Sequence, residues 1–176
     1  IVKEPGLASS LAPSIAFGAA LVLFVVFCYW PLTRYYLAQD DFTLLERGAH
    51  GFRDAMAPFF NLNPGQFRPL TKGLYFFLAW PLFGLNPLPY HIVSILLHAV
   101  NAILVGAVLR RMRISMLVSW LAAGVFAAHL CHIEAVAWAS CIQQLAGAAF
   151  LFTALGFGLV ALDGRGRRGV VAGTGA

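Results

Sequence analysis

Two adjacent carboxylates, Asp40 and Asp41, follow the first apolar run of the chain. That run covers residues 11–30, carries no charged side chain and is long enough to cross a bilayer as a helix. The acids therefore lie just beyond a membrane exit, where a carboxylate could take the proton of a hydroxyl group. Because Asp is also a common N-cap residue, the pair could instead cap a short helix that begins near Phe42.

A second polar corner contains His129, His132 and Glu134 and lies between the third and the fourth apolar run. The two histidines share a face if the helix continues, whereas Glu134 joins them only if the backbone turns. Their spacing matches no zinc signature, so we predict no metal site here. Burial of Glu134 at the membrane surface would require a partner, either a histidine or one of the cations Arg68 and Lys72.

A polar stripe follows the second apolar run at helical spacing. Its members stand at i, i+3, i+7 and i+10 and share one face: His91, Ser94, His98 and Asn101. Polar groups in hydrocarbon are costly without partners, so this face should look into a helix bundle or a water-filled cavity. Hydrogen bonding between helices, ligand binding and axial ligation of a haem are the alternatives. A polar and small face also opens the fourth run and is typical of helix packing: Ser140, Gln144 and Gly147.

The elements that position these residues are membrane helices. Hydrophobic residues make up 60% of the chain and charged residues 11%, whereas about a quarter of the residues in an average soluble domain are charged. The net charge of +5 does not indicate nucleic-acid binding, because the basic residues cluster beside apolar runs, as membrane topology requires. We therefore predict an all-α, polytopic membrane bundle that contacts lipid and binds no nucleic acid.

Four runs are long enough to be transmembrane helices, and we predict a single membrane domain over residues 1–163. The runs cover residues 11–30, 88–109, 114–130 and 135–162. The basic turn at 110–113 and the basic tail, which we predict to be flexible over residues 164–176, place both termini in the cytoplasm by the positive-inside rule. The loop over residues 31–87 is then extracytoplasmic.

This long external loop is expected to contain short helices at the membrane interface. Residues 74–85 are apolar but too few to span a bilayer, and Pro81 interrupts them. These features favour an interfacial or re-entrant helix. Residues 51–60 are a second candidate of the same kind.

The order of these motifs resembles the N-terminal membrane region of the GT-C glycosyltransferases. The similarity is greatest to the transmembrane-and-TPR O-mannosyltransferases and their bacterial relatives, and it covers most of residues 40–149. It rests on these stretches: Asp40-Asp41-Phe42; Phe67-Arg68-Pro69-Leu70-Thr71; Pro89-Tyr90-His91; Leu97-His98 with Asn101; Phe126-Ala127-Ala128-His129; and His132-Ile133-Glu134-Ala135-Val136.

The resemblance implies a transferase that passes a sugar from a polyprenyl-phosphate donor to a protein or lipid hydroxyl on the extracytoplasmic side. It implies that Asp40 or Asp41 is the catalytic carboxylate. Cationic groups would stabilise the leaving lipid phosphate, and the candidates are Arg68, Lys72, His129 and His132. Supporting roles are expected for Glu134, His91 and His98. The lipid-linked sugar is the donor substrate, and a divalent cation between Asp41 and Glu134 is an open alternative.

Departures from the family pattern leave a second function open. Leu130 stands where the family has a proline, and residues 140–144 lack the charged residues of relatives. GT-C enzymes also have more spans, and TPR repeats do not occur in these 176 residues. We therefore expect either a part or a shortened relative of such an enzyme, or a non-catalytic membrane subunit that packs against a larger complex. Ala123 and Ala127, four residues apart, could form a close helix contact in that complex.

Overall fold

The computed structural model of the chain describes residues 7–57 and 68–173. Helix is the only regular structure in those two ranges. The predicted all-α class is therefore confirmed for the described part of the chain. Phe67 and the end of the candidate segment 51–60 lie outside it.

The helices vary widely in length. In chain order, the α-helices are α1 (Leu7–Tyr29), α2 (Asp40–Ala49), α3 (Phe52–Ala55), α4 (Tyr75–Phe83), α5 (Pro87–Arg111), α6 (Met116–Ala128), α7 (Ile133–Ala137) and α8 (Ile142–Gly173). Three short 3-10 turns connect some of them: Trp30–Arg34, Leu130–His132 and Ala139–Cys141. A π-helix, Pro69–Leu74, leads directly into α4.

Three segments are long and apolar enough to cross a membrane alone: Pro13–Arg34, Pro87–Arg111 and Ala139–Asp163. A fourth crossing exists if α6 and Leu130–Ala137 count as one span, and these two pieces are bent by 51°. The chain is thus a multi-pass membrane protein with three or four candidate spans in its described part. The predicted fourth span begins at residue 135, which lies in α7, and α8 continues through most of the predicted tail.

α5 is the central helix of the bundle. Asn86 caps it, because its side chain accepts a hydrogen bond from the Leu88 N–H at 3.1 Å, and Pro87 takes the first position, where no N–H is needed. Its buried face packs into a core shared with α1, α6 and α7: Ile95, Ala99, Ala102, Val25, Ala123 and Val136. α5 therefore positions the helices that pack against it, and it also positions the polar residues along its own face.

The loop between α1 and α5 packs as a second layer on the start of α5. Buried side chains from the loop join α5 and the turn before α8 in a second core: Leu37, Leu44, Leu45, Phe76, Ala79, Tyr90, Ala139 and Ile142. Two glycines allow close backbone contact. A Cβ on Gly48 would lie 2.7 Å from the Phe76 carbonyl oxygen, and one on Gly73 would lie 2.6 Å from the Ala55 carbonyl oxygen. The loop is therefore a packed structure that can hold side chains in fixed positions.

α4 falls within the segment 74–85 for which the sequence predicts a short helix. Pro81 lies inside α4 without ending it. Burial, followed by the neighbouring Tyr90, raises the pKa of Tyr75 above its ordinary value, so this phenol stays neutral. The position of α4 at the membrane interface stays a prediction.

Candidate functional site

Asp41 is a buried carboxylate whose two oxygens are both bound. Its side chain is only 2% exposed. Oδ2 accepts a hydrogen bond from the Ala38 N–H at 3.0 Å, and Oδ1 accepts one from the Ser140 N–H at 2.7 Å. Because Ser140 is 99 residues further along the chain, this carboxylate joins the loop between α1 and α5 to the turn before α8. Asp41 is therefore a structural link between two layers of the protein.

Asp40 is in the opposite situation. Its side chain is exposed, and it makes no hydrogen bond to another described residue. The N-cap of α2 is Gln39, so neither acid is the cap itself, although Asp41 binds the Ala38 N–H just before the helix. Of the two predicted catalytic acids, Asp40 is the one that a substrate could reach.

A cleft of about 470 Å³ separates the π-helix from the start of α8. Its lining comes from both sides: Arg68, Pro69, Leu70 and Thr71 on the first, and Gln143, Gln144, Ala146, Gly147 and Phe150 on the second. Arg68 is exposed, and the buried Oε1 of Gln143 has no hydrogen-bond partner in the described part of the chain. A cation, two amides and an apolar floor together suit a phosphate that carries an apolar chain.

Charged side chains gather around Cys141, which directly follows Ser140. Four of them lie within electrostatic range of its thiol: Glu134, Asp41, Lys72 and Asp40. Glu134 is exposed and so does not need the buried partner that the sequence suggested for it. Of these groups, Asp41 is bound to the turn before α8 through the Ser140 N–H. Asp40 adjoins it at the start of α2, and Lys72 belongs to the π-helix that forms one side of the cleft.

His129 and His132 lie in a separate aromatic cluster. The ring centroid of His132 is 4.5 Å from that of Phe126 and 5.0 Å from that of His98. His129 is exposed. Among residues 7–57 and 68–173, no hydrogen bond, ion pair or ring contact joins either histidine to the cleft or to Lys72. Their predicted role in phosphate binding therefore has no direct geometric link to Arg68.

The polar face of α5 is buried and bound to the backbone of its neighbours. All four members are at most 2% exposed: His91, Ser94, His98 and Asn101. Three of them donate to carbonyl oxygens: His91 Nε2 to Tyr35 at 3.0 Å, His98 Nε2 to Ala127 at 3.1 Å and Asn101 Nδ2 to Leu145 at 2.9 Å. A carbonyl can only accept, so Nε2 of each histidine carries the proton. The structure shows the hydrogen bonding between helices that was one of the predicted alternatives.

The acids do not fit a divalent cation. In the part of the chain that the structure describes, no group of three His, Cys, Asp or Glu side chains could hold a metal ion. Both oxygens of Asp41 already accept backbone hydrogen bonds, and Glu134 is exposed. A cation between these two acids therefore lacks a ligand set among the described side chains.

Some residues of the cleft were not recognised from sequence. Gln144 and Gly147 were interpreted as packing groups, and Gln143 and Thr71 were given no role, yet all four line the cleft. Two adjacent amides at the start of an otherwise apolar span were the available signal. The contribution of Ser140 left no signal, because it comes from the backbone N–H.

Comparison with family models, with curated proteins and with solved structures finds no significant match to this chain. The resemblance to GT-C enzymes therefore stays a prediction from sequence. The functional interpretation depends on the geometry of the acids, Lys72 and the cleft.

Proposed function

We propose that the chain is the N-terminal membrane part, or a truncated relative, of a polyprenyl-phosphate-sugar-dependent glycosyltransferase that acts on the extracytoplasmic side. One observation carries the proposal. The exposed acid Asp40 adjoins Asp41, which is bound to the turn before α8, and the Arg68 cleft lies between the start of α8 and the π-helix that carries Lys72. Sugar transfer from a lipid phosphate needs both a base and a cationic site for the leaving group.

Asp40 is the proposed base. It would take the proton of the acceptor hydroxyl as the hydroxyl oxygen attacks the anomeric carbon of the sugar. The bond between that carbon and the phosphate oxygen then breaks, and its electron pair stays on the polyprenyl phosphate. Asp41 is unsuited to this task, because it is buried with both oxygens bound.

Arg68 and Lys72 are the proposed phosphate-binding residues. The Lys72 N–H donates to the Arg68 carbonyl oxygen at 2.8 Å, so the two cations lie on adjoining turns of the same backbone segment. A guanidinium and an ammonium group can stabilise the charge that develops on the leaving phosphate. The apolar residues of the cleft, among them Leu70 and Phe150, would contact the first isoprene units.

The topology is consistent with this assignment. α2 and the π-helix belong to the loop between α1 and α5, whereas the basic turn 110–113 follows the other end of α5. The positive-inside rule assigns that basic turn to the cytoplasm, and the acids then face the opposite side. Donor and acceptor would meet there.

Transfer by membranes that contain the chain tests the proposal. The donors are polyprenyl phosphate sugars labelled in the sugar, and the mannose form is used first because the resemblance is greatest to O-mannosyltransferases. We expect wild-type membranes to label an acceptor and Asp40→Asn to lower the rate at least about 100-fold, the usual contribution of a general base. Asp54→Asn, which changes an exposed acid of α3 in the same loop, is the matched control and should keep the wild-type rate. Wild-type transfer no faster than that of Asp40→Asn would refute the proposal.

A non-catalytic membrane subunit is the second candidate. It is favoured by the exposure of the last candidate span, Ala139–Asp163. Only 6% of the most apolar part of this span is buried, compared with 39% for the span Pro87–Arg111. Helices of a larger complex could cover that surface. Stoichiometric co-purification of other membrane proteins, together with no labelled acceptor in the assay above, would favour this function over catalysis.

A further inference from the structure

A second groove lies between α5 and α8, towards the end of α5 that is far from Asp40. Its volume is about 220 Å³, and its walls are mostly apolar: Leu104, Ala107, Val108, Phe152, Phe157 and Val160. Gly156 leaves the groove open, because a Cβ on this residue would meet no other atom within 4 Å. Arg111, the last residue of α5, lines the groove together with these apolar side chains. The groove therefore combines an apolar slot with a cation at the helix end.

The cations at this end have no carboxylate partner in the described part of the chain. Three arginines stand close together in sequence at the end of α5: Arg110 and Arg111 in its last turn, and Arg113 two residues beyond it. Arg110 donates to the Ile114 carbonyl oxygen at 2.7 Å, and no ion pair joins any of the three to Asp163, one turn beyond Val160. Arg111 and Arg113 are both exposed. Their positive charge is therefore available to an anion.

Arg113 occupies a backbone position that favours glycine. Its φ is 64°, in the left-handed region, which side chains with a Cβ rarely adopt. The Arg113 N–H bonds to the Arg110 carbonyl oxygen at 3.1 Å, and the Ile114 N–H bonds to the Leu109 carbonyl oxygen at 3.2 Å. This is the arrangement that ends many helices with a glycine. An arginine nevertheless occupies this position, two residues beyond the Arg111 that lines the groove.

We propose that this groove binds an anionic phospholipid, with an acyl chain between α5 and α8 and the phosphate at Arg111 and Arg113. The walls match the chain, and the unpaired arginines match the negative charge of the headgroup. An acyl chain of a zwitterionic lipid would fit the groove, but its headgroup would gain little binding energy from the arginines. Free phosphate would bind the arginines without filling the apolar groove. By the positive-inside rule the site faces the cytoplasmic leaflet, which carries anionic lipids. It does not depend on sugar transfer at the other end.

Retention of lipid by the purified chain tests the charge in this proposal. The full chain is reconstituted into nanodiscs with equal amounts of phosphatidylglycerol and phosphatidylcholine, transferred to a mild detergent and analysed by native mass spectrometry. We expect wild type to retain phosphatidylglycerol in preference. Arg111→Gln should lower that preference about fivefold, the usual contribution of one arginine near an anionic surface. Arg34→Gln removes an exposed arginine from the other end of the bundle and should change nothing.

The variant Arg113→Gly distinguishes a role of this arginine in lipid binding from a role in the stability of the turn. It removes the charge but places glycine where the backbone favours it, so it should lower phosphatidylglycerol retention without lowering the melting temperature. Loss of retention together with a lower melting temperature would mean that the arginine serves the turn, and it would overturn the proposed contact.

A pair of glycine variants tests the slot. Gly156→Leu fills the groove, whereas Gly158→Leu adds the same side chain outside it, and a Cβ on either glycine meets no other atom within 4 Å. Gly156→Leu should lower retention of phosphatidylglycerol, Gly158→Leu should not, and an excess of inorganic phosphate should leave retention unchanged. The proposal would be overturned if wild type retained the two lipids equally, or if Arg34→Gln or Gly158→Leu lost as much lipid as the groove variants. Displacement of the lipid by inorganic phosphate, or a protein bound at the groove in place of lipid, would also overturn it.

Discussion

The polar face of α5 and the loop between α1 and α5 place polar residues in opposite settings. On α5, His91, His98 and Asn101 are buried, and each donates to a backbone carbonyl oxygen of a neighbouring element. In the loop between α1 and α5, the side chains of Asp40 and Arg68 are exposed and have no such partner among the described residues. Polar residues in a membrane protein are therefore not functional by position alone. The α5 side chains hold the scaffold through these buried bonds, whereas Asp40 and Arg68 are exposed and accessible to a substrate.

The same contrast separates Asp40 from Asp41, although they are adjacent. Successive residues on a helix point about 100° apart, so one acid of α2 faces the bundle and the other faces outward. Asp41 binds the Ser140 N–H in the turn before α8. A pair of carboxylates that looks uniform in sequence thus divides into a structural residue and an accessible one.

Replacing the two acids should give the largest difference in stability. Asp41→Ala leaves the N–H groups of Ala38 and Ser140 without their acceptor, so we expect it to lower the free energy of unfolding by about 3 kcal/mol. Asp40→Ala is the matched control and should change stability by less than about 0.5 kcal/mol. Unfolding of each variant in mixed detergent measures both values. Equal losses in the two variants would contradict the division of roles.

The packing of the loop between α1 and α5 should respond next. Gly48→Ala places a Cβ 2.7 Å from the Phe76 carbonyl oxygen, and we expect it to cost about 2 kcal/mol and to lower sugar transfer through loss of folded protein. Gly124→Ala in α6 meets no other atom within 4 Å and should be neutral or stabilising. Melting temperatures report the difference. A Gly48→Ala variant as stable as Gly124→Ala would mean that the layers are not in backbone contact.

Single changes on the α5 face should have the smallest effect. His98→Phe removes one hydrogen bond to Ala127, and such bonds between membrane helices contribute about 1 kcal/mol. We expect a slightly lower melting temperature and an unchanged transfer rate per folded molecule. His50→Phe, at an exposed position after α2, is the control. A loss of transfer in His98→Phe without a loss of folded protein would make this histidine functional.

Much of the fold was predictable where local signals agree. The predicted span 88–109 lies within α5, because Asn86 and Pro87 mark its start and the basic residues mark its end. The inward direction of the α5 polar face followed from its spacing and is confirmed by burial. These features depend on residues close together in the chain.

A break between residues 130 and 135 was predicted, but its exact position at His129 and the second break at Trp138 were not predictable from local sequence. Residues 126–138 contain no proline or glycine, yet His129 and Trp138 are extended and separate three helical pieces. Such breaks free backbone groups that need partners inside a membrane protein. His98 donates a hydrogen bond to the Ala127 carbonyl oxygen at the first break, and Asp41 accepts one from the Ser140 N–H after the second. Both partners are distant in sequence, so no local pattern could reveal the exact positions of the breaks or the role of Asp41.

Chemical labelling of the two acids tests the central claim most directly. Membranes that contain the wild-type chain are treated with a water-soluble carbodiimide and glycine ethyl ester, and the modified carboxylates are mapped by mass spectrometry. Asp40 is exposed and Asp41 is buried, so of these two acids only Asp40 should be modified rapidly in the folded protein. Both should be modified after denaturation. Equal modification in the folded protein, or faster modification of Asp41, would contradict the account.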